Sequence, residues 1–442
     1  MRTSGRQRSS VARRVRWMIG LLAALAAPAA GTFAADWPHW RGPARSGVSP
    51  EPSGWSGGQW PVRQPVWTAK AGAGSTSPLV VSGRLYTMGW SGGKDHVICL
   101  DAATGKPLWE QTYTAPQYGR QAVGDQNFYA GVTATPEYDP ASGFLYTLSA
   151  DGDLRSWNTR QGGQPGWSLN LYERYGVARR PQATRRPNTL RDYGYTSSPL
   201  VHGDWVIVEV GDDEGALMGF DKKTGERRWV SESKVAAGHS GGPVPLTVEG
   251  VPCVAAYTLQ GLLVARLDRG REGKTVAEYE WITDFDNNIP TPAVQGSSVV
   301  ITSKYNQQKV ARIDITLAGA RKVWEQRYAS GVCSPIIYKN HVYFANHGLQ
   351  CFDFASGELK WFGGRSGDVA SCLATSDGRI VVWANEGELM LAESAERSPG
   401  EYKELATFPD ARGVEAWCHV VLAEGRLYCK DRAGTIKCFA TH

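Results

Sequence analysis

Leu100-Asp101-Ala102-Ala103-Thr104-Gly105-Lys106-Pro107-Leu108-Trp109 returns as Phe220-Asp221-Lys222-Lys223-Thr224-Gly225-Glu226-Arg227-Arg228-Trp229. It returns again as Phe352-Asp353-Phe354-Ala355-Ser356-Gly357-Glu358-Leu359-Lys360-Trp361. In each copy Asp stands eight residues before Trp and Gly four after Asp. The Asp side chain accepts hydrogen bonds from turn amides, and Gly takes the positive-φ position that an L-residue resists. The Trp then opens a new strand and offers a large apolar face to its neighbour. A β-rich unit of about 40 residues that recurs cannot bury its own face, so the repeat implies a propeller or a solenoid.

Working outward, eight units follow one another, each opened by Ser/Thr-Pro or a substitute. The openings are Ser77-Pro78, Thr135-Pro136, Ser198-Pro199, Gly242-Pro243, Thr291-Pro292, Ser334-Pro335, Ser371-Cys372 and Cys418-His419. The seventh unit lacks both the Pro and the Trp. The eighth stops after Lys437-Cys438-Phe439, too early for an outer strand, while Pro65-Val66-Trp67 carries a Trp where that strand would place one. A strand from the opposite terminus would close the ring and remove two exposed edges. The expected fold is all-β: an eight-bladed propeller of four-stranded antiparallel blades over residues 35–442.

Residues 1–34 read as a secretory signal peptide. Arg2, Arg6, Arg8, Arg13, Arg14 and Arg16 precede the apolar run from Trp17 to Ala27, and small residues follow near Ala34. The run is too short and Ala-rich for a membrane span, which needs about 20 apolar residues. The expected location is therefore periplasmic or secreted, by either the general or the twin-arginine route. The whole chain has 48 Lys and Arg against 43 Asp and Glu, and removing residues 1–34 leaves 42 basic residues. Net charge thus gives no support to a nucleic-acid partner. A monomer is expected.

The Leu-Asp-x-x-Thr-Gly-x-x-x-Trp phrase resembles the repeat of the pyrroloquinoline-quinone-type β-propellers. Asp36-Trp37-Pro38-His39-Trp40-Arg41-Gly42-Pro43, Asn288-Ile289-Pro290-Thr291-Pro292 and Trp417-Cys418-His419-Val420-Val421 resemble an exported bacterial subgroup of them. The resemblance spans essentially the whole chain after residue 34. It implies fold rather than function, because the superfamily holds both quinone-dependent dehydrogenases and the BamB-type factor of outer-membrane barrel assembly. The dehydrogenases stack their cofactor on a disulfide between adjacent cysteines and hold Ca²⁺ with carboxylate and amide oxygens. This chain has no Cys-Cys pair and no Cys-x-x-Cys-His. It also lacks a cysteine at the signal cleavage site for lipid attachment, in departure from the BamB type. The acidic turns Asp151-Gly152-Asp153 and Asp212-Asp213-Glu214 read as turn chemistry rather than as a metal site. No cofactor and no metal are expected. The first function expected is a non-catalytic binding or scaffold module for a protein or envelope polymer. The alternatives are a pyrroloquinoline-quinone-dependent oxidoreductase with Ca²⁺, and a carbohydrate-binding propeller.

Candidate contacts follow from the longest inter-blade connections. Tyr172–Ser197 carries Arg174, Arg179, Arg180, Arg185, Arg186 and Arg191 against Glu173 and Asp192. Arg179, Arg180, Arg185 and Arg186, with Tyr193 and Tyr195, either clamp an anionic partner or form a solvated lid over aromatic faces. Asn127 belongs to a second rim, Gly119–Gly131. His239, Asn287, Asn288, Trp417 and His419 precede or open inner strands, which places them near the channel mouth. The eight cysteines fall in repeated slots, far apart around a ring, so most should be free. Cys429 and Cys438 are the exception: a two-residue turn at Ala433-Gly434 would set them opposite each other for a disulfide.

Overall fold

The turn phrases fold as their residues require. Asp101 accepts from the Thr104 amide and hydroxyl at 2.8 and 2.7 Å, and Asp353 from those of Ser356 at 2.7 and 2.8 Å. Asp221 accepts from the amides of Lys223 and Thr224 at 2.9 and 3.1 Å. Gly105, Gly225 and Gly357 sit at φ +69°, +74° and +75°. Each glycine also carries the indole of the preceding blade. A Cβ at Gly105 would stand 2.5 Å from Trp67, and at Gly225 and Gly357 2.6 Å from Trp167 and Trp324. The indole N–H then donates to the same turn: Trp67 to the Ala102 carbonyl at 3.1 Å, Trp167 to Lys222 at 3.0 Å, Trp324 to Phe354 at 2.9 Å. The phrase is thus both a turn and the socket for a neighbour's Trp.

The computed structural model describes residues 35–115, 131–177, 194–236, 239–283, 287–384, 387–409 and 416–442. These form eight four-stranded antiparallel sheets, the blades of an eight-bladed propeller. Blades one to seven occupy residues 79–114, 137–170, 200–230, 244–280, 293–326, 336–363 and 370–408. In each, the strands pair in simple chain order. Blade eight takes three strands from residues 421–440 and its outer strand, Trp67–Lys70, from the other terminus. Trp67 pairs with Cys438 and Lys70 with Thr435, so the expected closure is present. The apolar core lies between blades: Leu79, Tyr86, Val97 and Cys99 of blade one pack with Tyr138, Leu145 and Trp157 of blade two.

One expectation is corrected by register. In blade eight Cys429 faces Lys437, and Cys438 faces Tyr428. The turn has three residues rather than two. The Asp431 amide bonds the Thr435 carbonyl at 2.9 Å and the Gly434 amide returns to the Asp431 carbonyl at 3.0 Å, with Gly434 at φ +82°. One extra residue shifts register by one and turns a side chain to the opposite face. Cys429 and Cys438 are both free, buried thiols.

Residues 35–51 form a belt beneath the ring, along the free edges of the innermost strands. Trp37 exchanges backbone hydrogen bonds with Val80 at 2.6 and 3.0 Å, and the Tyr138 amide donates to Pro38 at 3.1 Å. Arg45 pairs with Glu137. Ser49 bonds Ala374 of blade seven at 2.8 Å and Leu422 of blade eight at 3.1 Å. Glu51 accepts from the amides of Glu424 and Gly425 at 2.7 and 2.8 Å. Arg41, 1% exposed, reaches into the axis and donates to the carbonyls of Pro292, at 3.1 Å, and Pro335. Burial pulls its pKa down to about 10, so it remains a cation at neutral pH.

Candidate functional site

Where the blades converge, the blade-opening hydroxyls are stitched together. The Ser77 amide donates to Thr135 Oγ1 and the Thr135 amide to Ser198 Oγ, both at 3.0 Å. The Thr291 amide donates to Ser334 Oγ and the Val420 amide to Ser371 Oγ, both at 2.9 Å. The His419 amide donates to Ser77 Oγ at 2.6 Å. Blade four has Gly242 at this slot, and there the Ser198 amide bonds the Gly241 carbonyl at 3.1 Å instead. The Ser/Thr-Pro signature therefore joins neighbouring blades around the axis. Each such hydroxyl accepts from an amide and keeps its own hydrogen for donation.

This ring bounds a pocket whose floor is Trp40. The Trp40 indole donates to Thr291 Oγ1 at 2.8 Å and stands edge-on to His419, ring centroids 5.5 Å apart. The pocket encloses about 110 Å³, smaller than the roughly 300–1,000 Å³ of sites for drug-sized molecules. Part of its wall is periodic: in blades one to six it is lined by the residue two before the opening pair, and in blade eight by Trp417, one before Cys418. Blades one to four supply Ser75, Thr133, Thr196 and Ser240; blades five, six and eight supply Ile289, Val332 and Trp417. At these positions blades one to four give hydroxyls and blades five, six and eight apolar side chains, with Asn287, Tyr305 and Ser334 adding polar groups on the latter side. His239 and Asn287 join the wall, Nδ1 to Oδ1 at 3.1 Å. Behind Ser240, buried Glu209 accepts its hydroxyl at 2.6 Å and that of Ser197 at 3.2 Å.

The expected site residues divide. His239, Asn287 and Trp417 line the pocket, and the Arg432 guanidinium lies 5.6 Å from the Trp417 ring centroid. Asn288 does not line it: its amide donates to the carbonyls of Thr258 and Trp281 at 2.8 and 3.1 Å. Tyr195 is also away from it, buried against Tyr172 at 4.9 Å with its hydroxyl on the Val210 carbonyl at 3.3 Å. His419 lies behind Trp40. Its Nδ1 donates to the Val420 carbonyl at 2.8 Å, and burial, with Arg41 nearby, holds its pKa down at about 4. It is neutral at pH 7. Asn127, Arg179, Arg180, Arg185, Arg186 and Tyr193 lie outside the described residues, as does the expected signal peptide.

Sequence reasoning missed the wall residues Ser75, Thr133, Thr196, Ile289 and Val332, and the floor residue Trp40. A signal was present in blades one to six, where the wall residue stands two before the opening pair, but the repeat alone does not say that this residue faces the axis. It also missed a close thiol pair. Cys333 and Cys372, in adjacent blades, have sulfurs 3.7 Å apart, because inner strands converge at the axis. All eight cysteines are nevertheless free. Among the described residues no group of three His, Cys, Asp or Glu is placed to hold a metal, and no helix is long and apolar enough to cross a membrane.

The fold has solved relatives. BamB from Moraxella catarrhalis superposes with a TM-score of 0.58 at 14% identity, over 86% of this chain and 100% of that one. The quinohemoprotein alcohol dehydrogenase from Comamonas testosteroni gives 0.62 at 13% identity, over 92% and 80%. The computationally designed Ika8 protein gives 0.56 at 11%, over 84% and 98%. At these identities the likeness is one of fold. Among curated proteins the sequence has no match. Residues 61–167 and 131–363 match the family described as Outer membrane protein assembly factor BamB, and the chain belongs to that family.

Proposed function

We propose that the chain is an exported, non-catalytic binding module of the cell envelope, holding a protein or envelope polymer through the face that carries the pocket. One observation carries this. The two long connections ending at Gly131 and Gly194 re-enter the described chain directly before Thr133 and Thr196, on the pocket wall. The described chain therefore resumes beside the axial pocket after both connections, and one insert carries six Arg against two acids. Such a charge attracts an acidic partner at low salt.

The test is retention of envelope material by tagged protein from its native host. Changing Arg179, Arg180, Arg185 and Arg186 to Ser should weaken retention and leave the melting temperature nearly unaltered. Retention by the unaltered chain should fall as salt rises through about 0.15 M, where screening acts within about 8 Å. Lower stability with intact retention would make the insert a packed lid and move the binding face elsewhere.

The quinoprotein-like fold raises a second reading, an oxidoreductase using pyrroloquinoline quinone. The fit fails on the residues described. The cofactor is a tricarboxylate, and the described pocket wall contains no Lys or Arg to receive carboxylates that burial would strip of water. The sequence offers no adjacent cysteines to stack beneath it.

A further inference from the structure

We infer that the axial pocket holds a neutral sugar. The inference deepens the binding reading above and rests on it. It is carried by the two-sided wall. A pyranose ring presents hydroxyls around its edge and a patch of C–H bonds on its face. The pocket presents hydroxyls from blades one to four, of which Thr196 and Ser240 already donate to the Ser240 carbonyl and to Glu209; across from them stand the apolar Ile289, Val332 and Trp417 among the polar Asn287, Tyr305 and Ser334. These are the two complementary surfaces such a ring needs, a few fixed polar groups and an apolar platform.

The groups are also held in place before any ligand arrives. Trp40 is fixed by its bond to Thr291 and its edge contact with His419, so the floor loses little freedom on binding. Thr135 and Ser198 are anchored through their oxygens by the amides of neighbouring blades, which leaves their hydrogens for donation to ligand oxygens. The described wall includes no Asp, Glu, Lys or Arg. A charged sugar would shed water there without gaining a counter-charge. The preference is therefore for a neutral glycan, either as a free small sugar or as the end residue of an envelope polymer.

The experiment is isothermal titration of the chain, purified from its native envelope, with a defined panel. The neutral probes are glucose, galactose, mannose, N-acetylglucosamine and their β-linked disaccharides; the charged counterparts are glucose 6-phosphate and glucuronate. At least one neutral probe should bind one to one, and the charged counterparts about tenfold or more weaker, roughly 1.4 kcal/mol. Thr133→Val keeps the side-chain shape, removes one hydroxyl and should weaken binding about tenfold. Trp417→Ala should abolish it. Tighter binding of a disaccharide than of its monomer would identify a polymer end as the source, and equal binding a free sugar. Absence of binding by every neutral probe at millimolar concentration would overturn the inference. So would equal binding of charged and neutral sugars, or binding untouched in Thr133→Val. Sugar binding without any retained envelope partner would leave this inference standing and remove the docking-face reading; a retained partner with no sugar binding would do the reverse.

Discussion

Gly357 and Gly83 share a backbone conformation, φ +75° and +74°, but not an environment. A Cβ at Gly357 would meet Trp324 at 2.6 Å, while at Gly83 nothing lies within 4 Å. Gly357→Ala should therefore incur both backbone strain and overpacking, together about 2–4 kcal/mol, and Gly83→Ala only about 1 kcal/mol. Chemical denaturation of the two variants checks this. Equal losses would mean that the indole yields freely.

Two buried titrating groups act in opposite directions. His419 is held at about 4, below its usual 6.5, by burial and Arg41. Its contribution is present above pH 6.5 and lost as pH falls through 4. Asp95, 2% exposed, is pushed up from 3.8 to about 7 by burial, with Asp151 and Asp153 adding to the rise. Its contribution is present below pH 3.8 and lost as pH rises through 7. Each is worth on the order of 3–4 kcal/mol, so they offset one another between pH 4 and 6.5. Asp95→Asn should leave a protein that weakens as pH falls from 6.5 to 4. His419→Gln should leave one that weakens as pH rises from 4 to 7. Denaturation at pH 4, 5.5 and 7 gives both slopes, and slopes of the same sign would contradict the assignment.

At the scale of elements, Trp67–Lys70 decides whether the ring is closed. Trp67 couples blade eight to blade one through its strand pairing, the Ala102 carbonyl and the face of Gly105. Trp67→Ala should lower stability by about 3–5 kcal/mol, a large part of a typical 5–15 kcal/mol. An unchanged melting temperature would mean that this strand does not close the ring. The strand was legible because the repeat has a recurring Trp slot and the last unit runs out before reaching it. The Cys429 and Cys438 pairing was not legible, because turn length is set by how Asp431 and Gly434 share amides. Ala-Gly in the sequence is compatible with either count. The proximity of Cys333 and Cys372 was hidden for another reason: sequence spacing measures the path around a blade, not the narrow circumference at the axis.

Across the whole molecule, the belt of residues 35–51 and the hydroxyl ring turn separate blades into one closed body with a pocket at its axis. The repeat revealed the blades, and it placed His239, Asn287 and Trp417 near the mouth. It did not reveal which residue of each repeat faces the axis, because that depends on the convergence of eight strands. Arg41→Leu should expose this unity. Its loss leaves the Pro292 and Pro335 carbonyls without their donor, at about 1–3 kcal/mol for each unsatisfied buried group. Thermal unfolding should then begin earlier while the far-ultraviolet β signature at low temperature is kept. An unaltered melting temperature would mean that the belt merely rests on the ring.

The central claim, a binding module rather than a quinone enzyme, is tested most directly by equilibrium dialysis of the purified chain against pyrroloquinoline quinone with excess Ca²⁺. The quantity measured is quinone retained per chain after gel filtration. None should be retained above the level left by an unrelated protein, because the described pocket wall offers the three carboxylates no cation. Retention near one quinone per chain, abolished by Trp417→Ala, would contradict it.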